Sequence, residues 1–251
     1  MSAPNDHLDA LLKRLHLAYL RRNWASFVER AEQERWNYRD FLVSLLSEEV
    51  AHRAQTGVQR RTHAAKFPFL KTLEEFDFTL QTALQARMLG SYCGHELVGE
   101  GKNLVLHGKP GRGKTHLAIA IAYKAILNGY DALFITAAQL IEDLHGAAVR
   151  GELSERLKRY LAPAVLIIDE VGYLTLRDDA ANVLYHVVNV RYLRKKPLIF
   201  TTNKPLTRWG EVLHDPDLAE TIIDRVLERG RVITLTGPSY RDPDGLQQPT
   251  K

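Results

Sequence analysis

Cysteine is nearly absent from this sequence, in which Cys93 is the single one among 251 residues. An intrachain disulfide is therefore impossible, as is common in a reducing compartment. Long apolar runs are also missing: none approaches the roughly 18–20 residues needed to cross a bilayer. The first residues lack the pattern of a signal peptide. We therefore expect a cytoplasmic protein without a membrane partner.

Acidic residues are missing between Val50 and Leu73, although the chain as a whole has 30 of them against 34 Lys and Arg. A basic run of this length needs a counter-charge or a polyanion. A second basic cluster lies at 191–196, and a third, diluted by acids and typical of a solvated face, lies at 152–159. The acid-free run thus favours contact with nucleic-acid phosphates by Arg53, Arg60, Arg61 and Lys66.

The first 55 residues have apolar residues at helical spacing, which predicts a small bundle of three helices. The first helix is expected to run through Tyr19, the second to be capped by Asn23 and the third by Asn37. Gly57 is expected to end the helical pattern, so 56–80 is interpreted as a connector. Such a bundle serves equally well as a structural appendage or as a partner-docking module.

Beyond the connector, apolar runs alternate with helical patterns. Strands are predicted over 104–107, 132–136, 165–169, 198–202 and 231–235, and helices over 80–92, 115–128, 138–148, 153–161, 180–194 and 218–228. The alternation predicts an α/β fold with a five-stranded parallel sheet flanked by helices. We expect a helical domain and basic connector over 1–66, the α/β domain over 67–241 and a disordered tail over 242–251.

A glycine-rich loop separates the first predicted strand from the helix that follows it. This order and spacing are typical of a P-loop, whose backbone N–H groups and helix N-terminus face a phosphate. Lys114 is expected to reach the β- and γ-phosphates, and the Thr115 hydroxyl to bind Mg²⁺. The predicted binding residues are Gly108, Lys109, Pro110, Gly111, Arg112, Gly113, Lys114, Thr115 and His116.

Polar residues follow two further strands, at the sheet edge where ligands bind in such folds. Asp169 and Glu170 end the third strand, and Asn203 follows the fourth. Beside a P-loop, Asp169 is expected to hold Mg²⁺, and Glu170 to orient and polarise an attacking water. Asn203 is expected to hold that water or to touch the γ-phosphate. These residues predict an ATPase with ATP and Mg²⁺ as cofactors.

On these motifs the chain resembles the AAA+ ATPases, with 108–115 as Walker A, 165–170 as Walker B and Asn203 as sensor 1. More narrowly, it is similar to the IstB-like transposition helpers. DnaC-type helicase loaders share the Asp-Arg element at 224–225 and the Ser-Tyr-Arg element at 239–241, so they remain the alternative. The segments that carry the narrower resemblance are 67–78, 104–118, 165–173, 201–205, 209–212, 223–227 and 237–241.

The resemblance implies an ATP-dependent helper that assembles into homo-oligomers on double-stranded DNA with little sequence preference. Such helpers deform the DNA, recruit and activate a DDE transposase, and use ATP hydrolysis to regulate target choice. Arg225 matches the arginine finger that reaches the neighbouring subunit's ATP, with Arg229 as its rival, and Arg241 matches a sensor-2-like position.

Further DNA contacts are expected from the segment 137–161, which occupies the place of an extra DNA-facing helix in initiator-type AAA+ proteins. Its basic residues are Arg150, Lys158 and Arg159. Tyr173 is expected to lie along the same DNA-facing pore of the assembled oligomer. The alternative function is a replicative helicase loader that binds single-stranded DNA. A small-molecule kinase would share only the P-loop.

Overall fold

Five strands pair into one parallel sheet in the order β2-β3-β4-β1-β5. The computed structural model describes residues 4–81, 84, 86–172 and 179–241. The predicted α/β class and five-stranded sheet are confirmed, and each observed strand covers its predicted range. The strands are β1 (Asn103–Gly108), β2 (Ala132–Thr136), β3 (Val165–Val171), β4 (Leu198–Thr202) and β5 (Gly230–Leu235).

The sheet order explains the composition of the strands. Because β3 lies between β2 and β4, both of its edges are paired, and the helices that flank the sheet cover it, so Val165 to Ile168 are fully buried. Each such side chain contributes about 1.5–3 kcal/mol on burial. The order also places the carboxyl ends of β3, β4 and β1 side by side, where parallel sheets bind their ligands. The glycine-rich loop and the acidic pair are therefore neighbours in space.

Helices flank the sheet, and among the described residues three long helices and two four-residue helices precede β1 along the chain. Contacts divide the chain into two compact units, Met1–Arg60 and Arg61–Lys251. Among the described residues, no helix has both the length and the apolar character needed to span a membrane. The helices are α1 (Pro4–Arg14), α2 (Ala18–Gln33), α3 (Tyr38–Ala64), α4 (Gly90–Cys93), α5 (Glu96–Gly99), α6 (Lys114–Leu127), α7 (Ala137–Val149), α8 (Leu153–Leu161), α9 (Ala180–Leu193), α10 (Trp209–Leu213) and α11 (Pro216–Glu228), with 3-10 turns at Phe78–Leu80, Ala86–Leu89 and Leu206–Arg208.

The N-terminal helices differ in their bounds from the sequence prediction. The cap by Asn37 is confirmed, because its Oδ1 accepts the Asp40 N–H at 2.9 Å. Asn23 is not a cap: it lies inside α2, and its side chain donates to the Tyr19 carbonyl. The first helix ends at Arg14, so Tyr19 belongs to α2.

Two predicted boundaries near the connector are wrong. Helix α3 continues through Gly57 to Ala64, since one glycine inside a helix costs only about 1 kcal/mol and does not end it. The helix predicted over 80–92 is replaced, in the described part of that range, by 3-10 turns and the four-residue helix α4, which ends at Cys93. Its apolar side chains Leu84, Leu89 and Tyr92 are buried without helical periodicity.

Candidate functional site

The glycine-rich loop joins β1 to α6 and curls around the amino end of that helix. Gly111 and Gly113 have φ values of 76° and 82°, in the left-handed region that favours glycine. Lys114 folds back so that its Nζ donates to the Gly108 and Lys109 carbonyls at 2.7 and 2.9 Å. Its burial lowers the pKa of the ammonium. The loop thus presents one positive charge and the positive end of a helix dipole to the same space.

Asp169 lies beside the start of α6, at the end of β3. Its Oδ1 and Oδ2 accept from the Thr115 hydroxyl at 3.0 and 3.2 Å, and the Thr201 hydroxyl of β4 also donates to Oδ1. The side chain is buried, and this burial raises the pKa of Asp169. The hydrogen bonds from Thr115 and Thr201 and the charge of Lys114 act in the opposite direction. Two oxygen-bearing side chains suited to Mg²⁺ therefore meet next to the loop.

Glu170 is turned toward solvent by an irregularity in the sheet. Ile168 pairs with Phe200, but the next pair is Val171 with Thr202, so two residues of β3 face Thr201 alone. Glu170 has φ 62°, and its N–H donates to the Thr201 hydroxyl at 2.9 Å. Bulges re-aim side chains next to active sites, and a non-glycine residue in this region costs about 1–3 kcal/mol. The bulge therefore separates a buried Asp169 from an exposed Glu170.

Aromatic residues from two distant segments pack against the glycine-rich loop. Phe76 lies 5.2 Å from the ring of His116 and 5.2 Å from that of Tyr240. The Tyr240 N–H donates to the Gly111 carbonyl at 2.9 Å. Gln81 joins both segments to the loop, because it donates to the Arg112 carbonyl and accepts from the Gly237 N–H. The loop is thus held from outside by the segments 72–81 and 237–241.

This packing predicts an effect of Gly113→Ala. A Cβ at Gly113 would lie 2.7 Å from Phe76 Cε2 and 3.1 Å from Tyr240 Cε2, whereas one at Gly129 would meet nothing within 4 Å. Both positions have positive φ, so Gly129→Ala is a matched control for the backbone strain of about 1–2 kcal/mol. Overpacking adds about 1–3 kcal/mol, so we expect ATP affinity to fall about tenfold or more in Gly113→Ala alone. Nucleotide titration and thermal melting of the two variants would measure this, and equal behaviour would contradict it.

An open pocket lies between the loop, the bulge and the C-terminal segment. Of the predicted residues, it brings together Gly111, Arg112, Gly113, Lys114, Thr115, His116, Glu170 and Arg241, together with the unpredicted Phe69, Thr201 and Tyr240. Gly108 and Lys109 contribute carbonyls to Lys114 without lining the pocket, and Pro110 belongs to the same loop. Asn203 does not line it either, and its buried Oδ1 has no hydrogen-bond partner among the described residues.

Arg225 is held away from this pocket, on α11, where it packs against α9. Its Cζ lies 4.6 Å from the ring centroid of Tyr185 and 6.0 Å from that of Tyr192. Its Nη1 is buried and has no hydrogen-bond partner in the described part of the chain. Arg229 stacks on Tyr192 at 4.5 Å and donates to its carbonyl at 3.0 Å. The guanidinium of Arg225 is thus positioned by aromatic faces rather than by an acid.

The residues predicted to contact DNA are distributed over both units. Arg53 and Arg60 belong to the first unit, where Arg53 pairs with Glu49 at 2.7 Å. In the second unit, Arg61 lies 3.5 Å from Asp131, and Arg150 lies 2.9 Å from Glu152. Lys158 pairs with Glu155, Arg159 stacks on Tyr160, and Lys66 is exposed. Tyr173 lies outside the described residues.

Sequence reasoning assigned no site role to Thr201, Phe76, Gln81 and Tyr240, although all but Gln81 lie in segments that carry the family resemblance. A signal was available for Thr201, because a polar residue near the carboxyl end of an apolar strand lies close to the place where parallel sheets bind their ligands. The other three contact the loop from more than 30 residues away in sequence. No local pattern in a single sequence predicts such contacts.

Taken together, a P-loop with an acidic pair near the carboxyl end of β3 defines a P-loop ATP-binding protein of AAA+ type. The crystal structure of the DnaC helicase loader is similar, with a TM-score of 0.51 and 25% identity over 70% of this chain and 99% of that chain. More particularly, the chain belongs to the family of IstB-like ATP binding proteins, whose model matches residues 10–247.

Curated relatives are similar over nearly their whole length. The insertion sequence IS5376 putative ATP-binding protein of Geobacillus stearothermophilus is 37% identical over 91% of this chain and 90% of its own. The insertion sequence IS21 putative ATP-binding protein of Pseudomonas aeruginosa is 38% identical over 93% of this chain and 88% of its own. The predicted family is therefore confirmed.

Proposed function

We propose that this protein hydrolyses ATP and acts as a transposition helper. In this proposal it oligomerises on duplex DNA with little sequence specificity, deforms it, and recruits and activates a DDE transposase. The observation that carries the proposal is the bulge that places Glu170 on the same pocket as the phosphate-binding loop. Membership of the IstB-like family and relatives named for insertion sequences support the biological setting.

The chemistry follows from the residues around the pocket. The triphosphate would lie on the loop N–H groups and the amino end of α6, with Lys114 released from its carbonyls to the β- and γ-phosphates. Mg²⁺ fits the adjacent oxygens of Thr115 and Asp169, and when bound it supplies charge neutralisation. Glu170, which is exposed on the pocket, would orient a water and accept its proton.

Further charge stabilisation is assigned to two arginines. Arg241 lines the pocket of its own subunit, and its charge contributes to the lowered pKa of Lys114. Arg225 would serve the pocket of a neighbouring subunit, since it is absent from the residues that line its own. Asn203 would complete the water site with its side-chain amide. We also propose the domain bounds 1–66, 67–241 and 242–251.

The test is electron microscopy and light scattering of the full chain with a non-hydrolysable ATP analogue and random-sequence duplex DNA. We expect assemblies that require both the nucleotide and the duplex. A protein that stays monomeric under these conditions contradicts the proposal. The fold's likeness to the DnaC structure makes a helicase loader the second candidate, for which preference for single strands and capture of a replicative helicase would decide.

A further inference from the structure

The second basic cluster of the sequence, at 191–196, has no part in the proposed chemistry. The cluster lies at the end of the sheet where the strands begin, because Lys196 comes just before β4. The ATP pocket lies at the opposite end, where the strands finish. The structure divides this cluster in two. Arg191 is fully buried and Lys196 is half-buried, whereas Arg194 and Lys195 are exposed.

The two inner cations, Arg191 and Lys196, donate hydrogen bonds to backbone carbonyls at and just beyond the carboxyl end of α8. Arg191 donates through Nη1 and Nη2 to the carbonyls of Tyr160, Pro163, Ala164 and Pro197, at 2.7–3.0 Å. Lys196 donates to the Leu161 carbonyl at 2.7 Å and also to that of Ala162. Burial lowers the pKa of Arg191 to about 9, so this side chain stays charged at neutral pH. The partial negative charge of these carbonyls is therefore satisfied from inside the protein.

Further basic side chains lie around the carboxyl end of α8, in two neighbouring pockets. A cavity of about 380 Å³ is lined by Arg61, Lys66 and Arg159, together with Asp131 and the start of β2. A second groove, which shares Ala162 with it, is lined by Lys158 and Arg194. We call these five cations, Arg61, Lys66, Lys158, Arg159 and Arg194, the basic corner.

Few acids compensate the basic corner. Arg61 lies 3.5 Å from Asp131, and Lys158 pairs with the exposed Glu155. Lys66, Arg159 and Arg194 form no ion pair with any residue in the described part of the chain. The carbonyls at the end of α8 accept from Arg191 and Lys196, and none of the outer cations donates to them in the described part of the chain. This arrangement leaves an exposed positive surface that can bind an anion from outside.

We propose that the basic corner binds backbone phosphates of duplex DNA while ATP occupies the pocket at the carboxyl ends of the strands. A duplex fits because it offers a row of single negative charges that several converging cations can neutralise together. The proposal deepens the proposed function and rests on it. It assigns DNA positioning to the α/β unit and adds Arg194, which the sequence motifs did not single out for DNA.

The test compares Lys66→Gln/Arg159→Gln with a matched control, Lys13→Gln/Arg22→Gln, which makes the same chemical change at exposed positions of α1 and α2. Anisotropy of a labelled random-sequence duplex is measured with the full chain and an ATP analogue at several salt concentrations. We expect the corner variant to lose about tenfold or more in affinity and the slope of log K against log salt to become shallower by about two. The control should bind like the wild type, and ATP turnover without DNA should be unchanged in both.

The outcomes separate the two proposals. If the wild type binds duplex DNA and the corner variant matches it in affinity and in salt slope, the assignment of DNA binding to the basic corner is wrong, and the proposed function stands. If the variant keeps its affinity for duplex DNA but no longer binds an acidic partner protein that the wild type binds, the basic corner binds that protein instead of DNA. If the wild type binds no duplex at all, both proposals fail.

Discussion

Glu170→Gln is expected to reduce ATP turnover by about 10²–10⁴-fold, the usual contribution of a positioned general base, while ATP still binds. The glutamine keeps the size of the side chain but cannot accept a proton from water. The bulge itself should survive, because its hydrogen bond to Thr201 uses the Glu170 backbone N–H. Phosphate release, nucleotide titration and light scattering together would measure turnover, affinity and assembly.

The matched control is Glu142→Gln, which makes the same chemical change at an exposed position of α7. It should leave all three measurements unchanged. Loss of ATP binding in Glu170→Gln would contradict the assigned role, since it would mean that the carboxylate supports the pocket. Normal turnover would place the general base elsewhere.

Arg225→Ala is expected to reduce turnover of the proposed homo-oligomer by about 10³-fold or more, the range measured for arginine fingers. The variant's own pocket stays intact, because Arg225 lies over Tyr185 and Tyr192 rather than on that pocket. Mixing it with Glu170→Gln subunits should therefore restore part of the activity. In such a mixture, the pocket of an Arg225→Ala subunit can face an intact Arg225.

Arg229→Ala is the control for this experiment. Arg229 already donates to the Tyr192 carbonyl and lies 3.9 Å from Glu228, so we expect it to support packing more than catalysis. If Arg229→Ala is the more damaging change and is the one rescued by mixing, the two roles are exchanged. Absence of rescue for both variants would show that neither arginine acts across subunits.

The acidic pair illustrates how far sequence reasoning reaches. The position of Asp169 and Glu170 after an apolar run placed both near the loop. Adjacent residues of a regular strand point to opposite faces, however, so the two carboxylates could not both face the loop without a local irregularity. The extra residue in β3 opposite Thr201 provides it. Nothing in the run of apolar residues predicts the position of a bulge.

The helices illustrate a second limit. The predicted bounds of helices α6 to α9 lie within two residues of the observed ones, because their helical patterns lie between well-marked apolar strands. The N-terminal helices were placed less well. Glu49, which is only 3% exposed, accepts the Leu20 N–H and the Arg53 guanidinium. Such a buried carboxylate stabilises the bundle through long-range contacts that helical periodicity does not encode.

The hydrogen bonds between the C-terminal segment and the glycine-rich loop provide internal reporters of the loop. The Tyr240 amide is bonded to Gly111, and the Gly237 amide to Gln81, which in turn holds Arg112. These amides exchange with solvent deuterium only when their bonds open. Their exchange rates therefore measure the opening of the loop directly, at two positions that carry no catalytic side chain and in a protein that need not turn over.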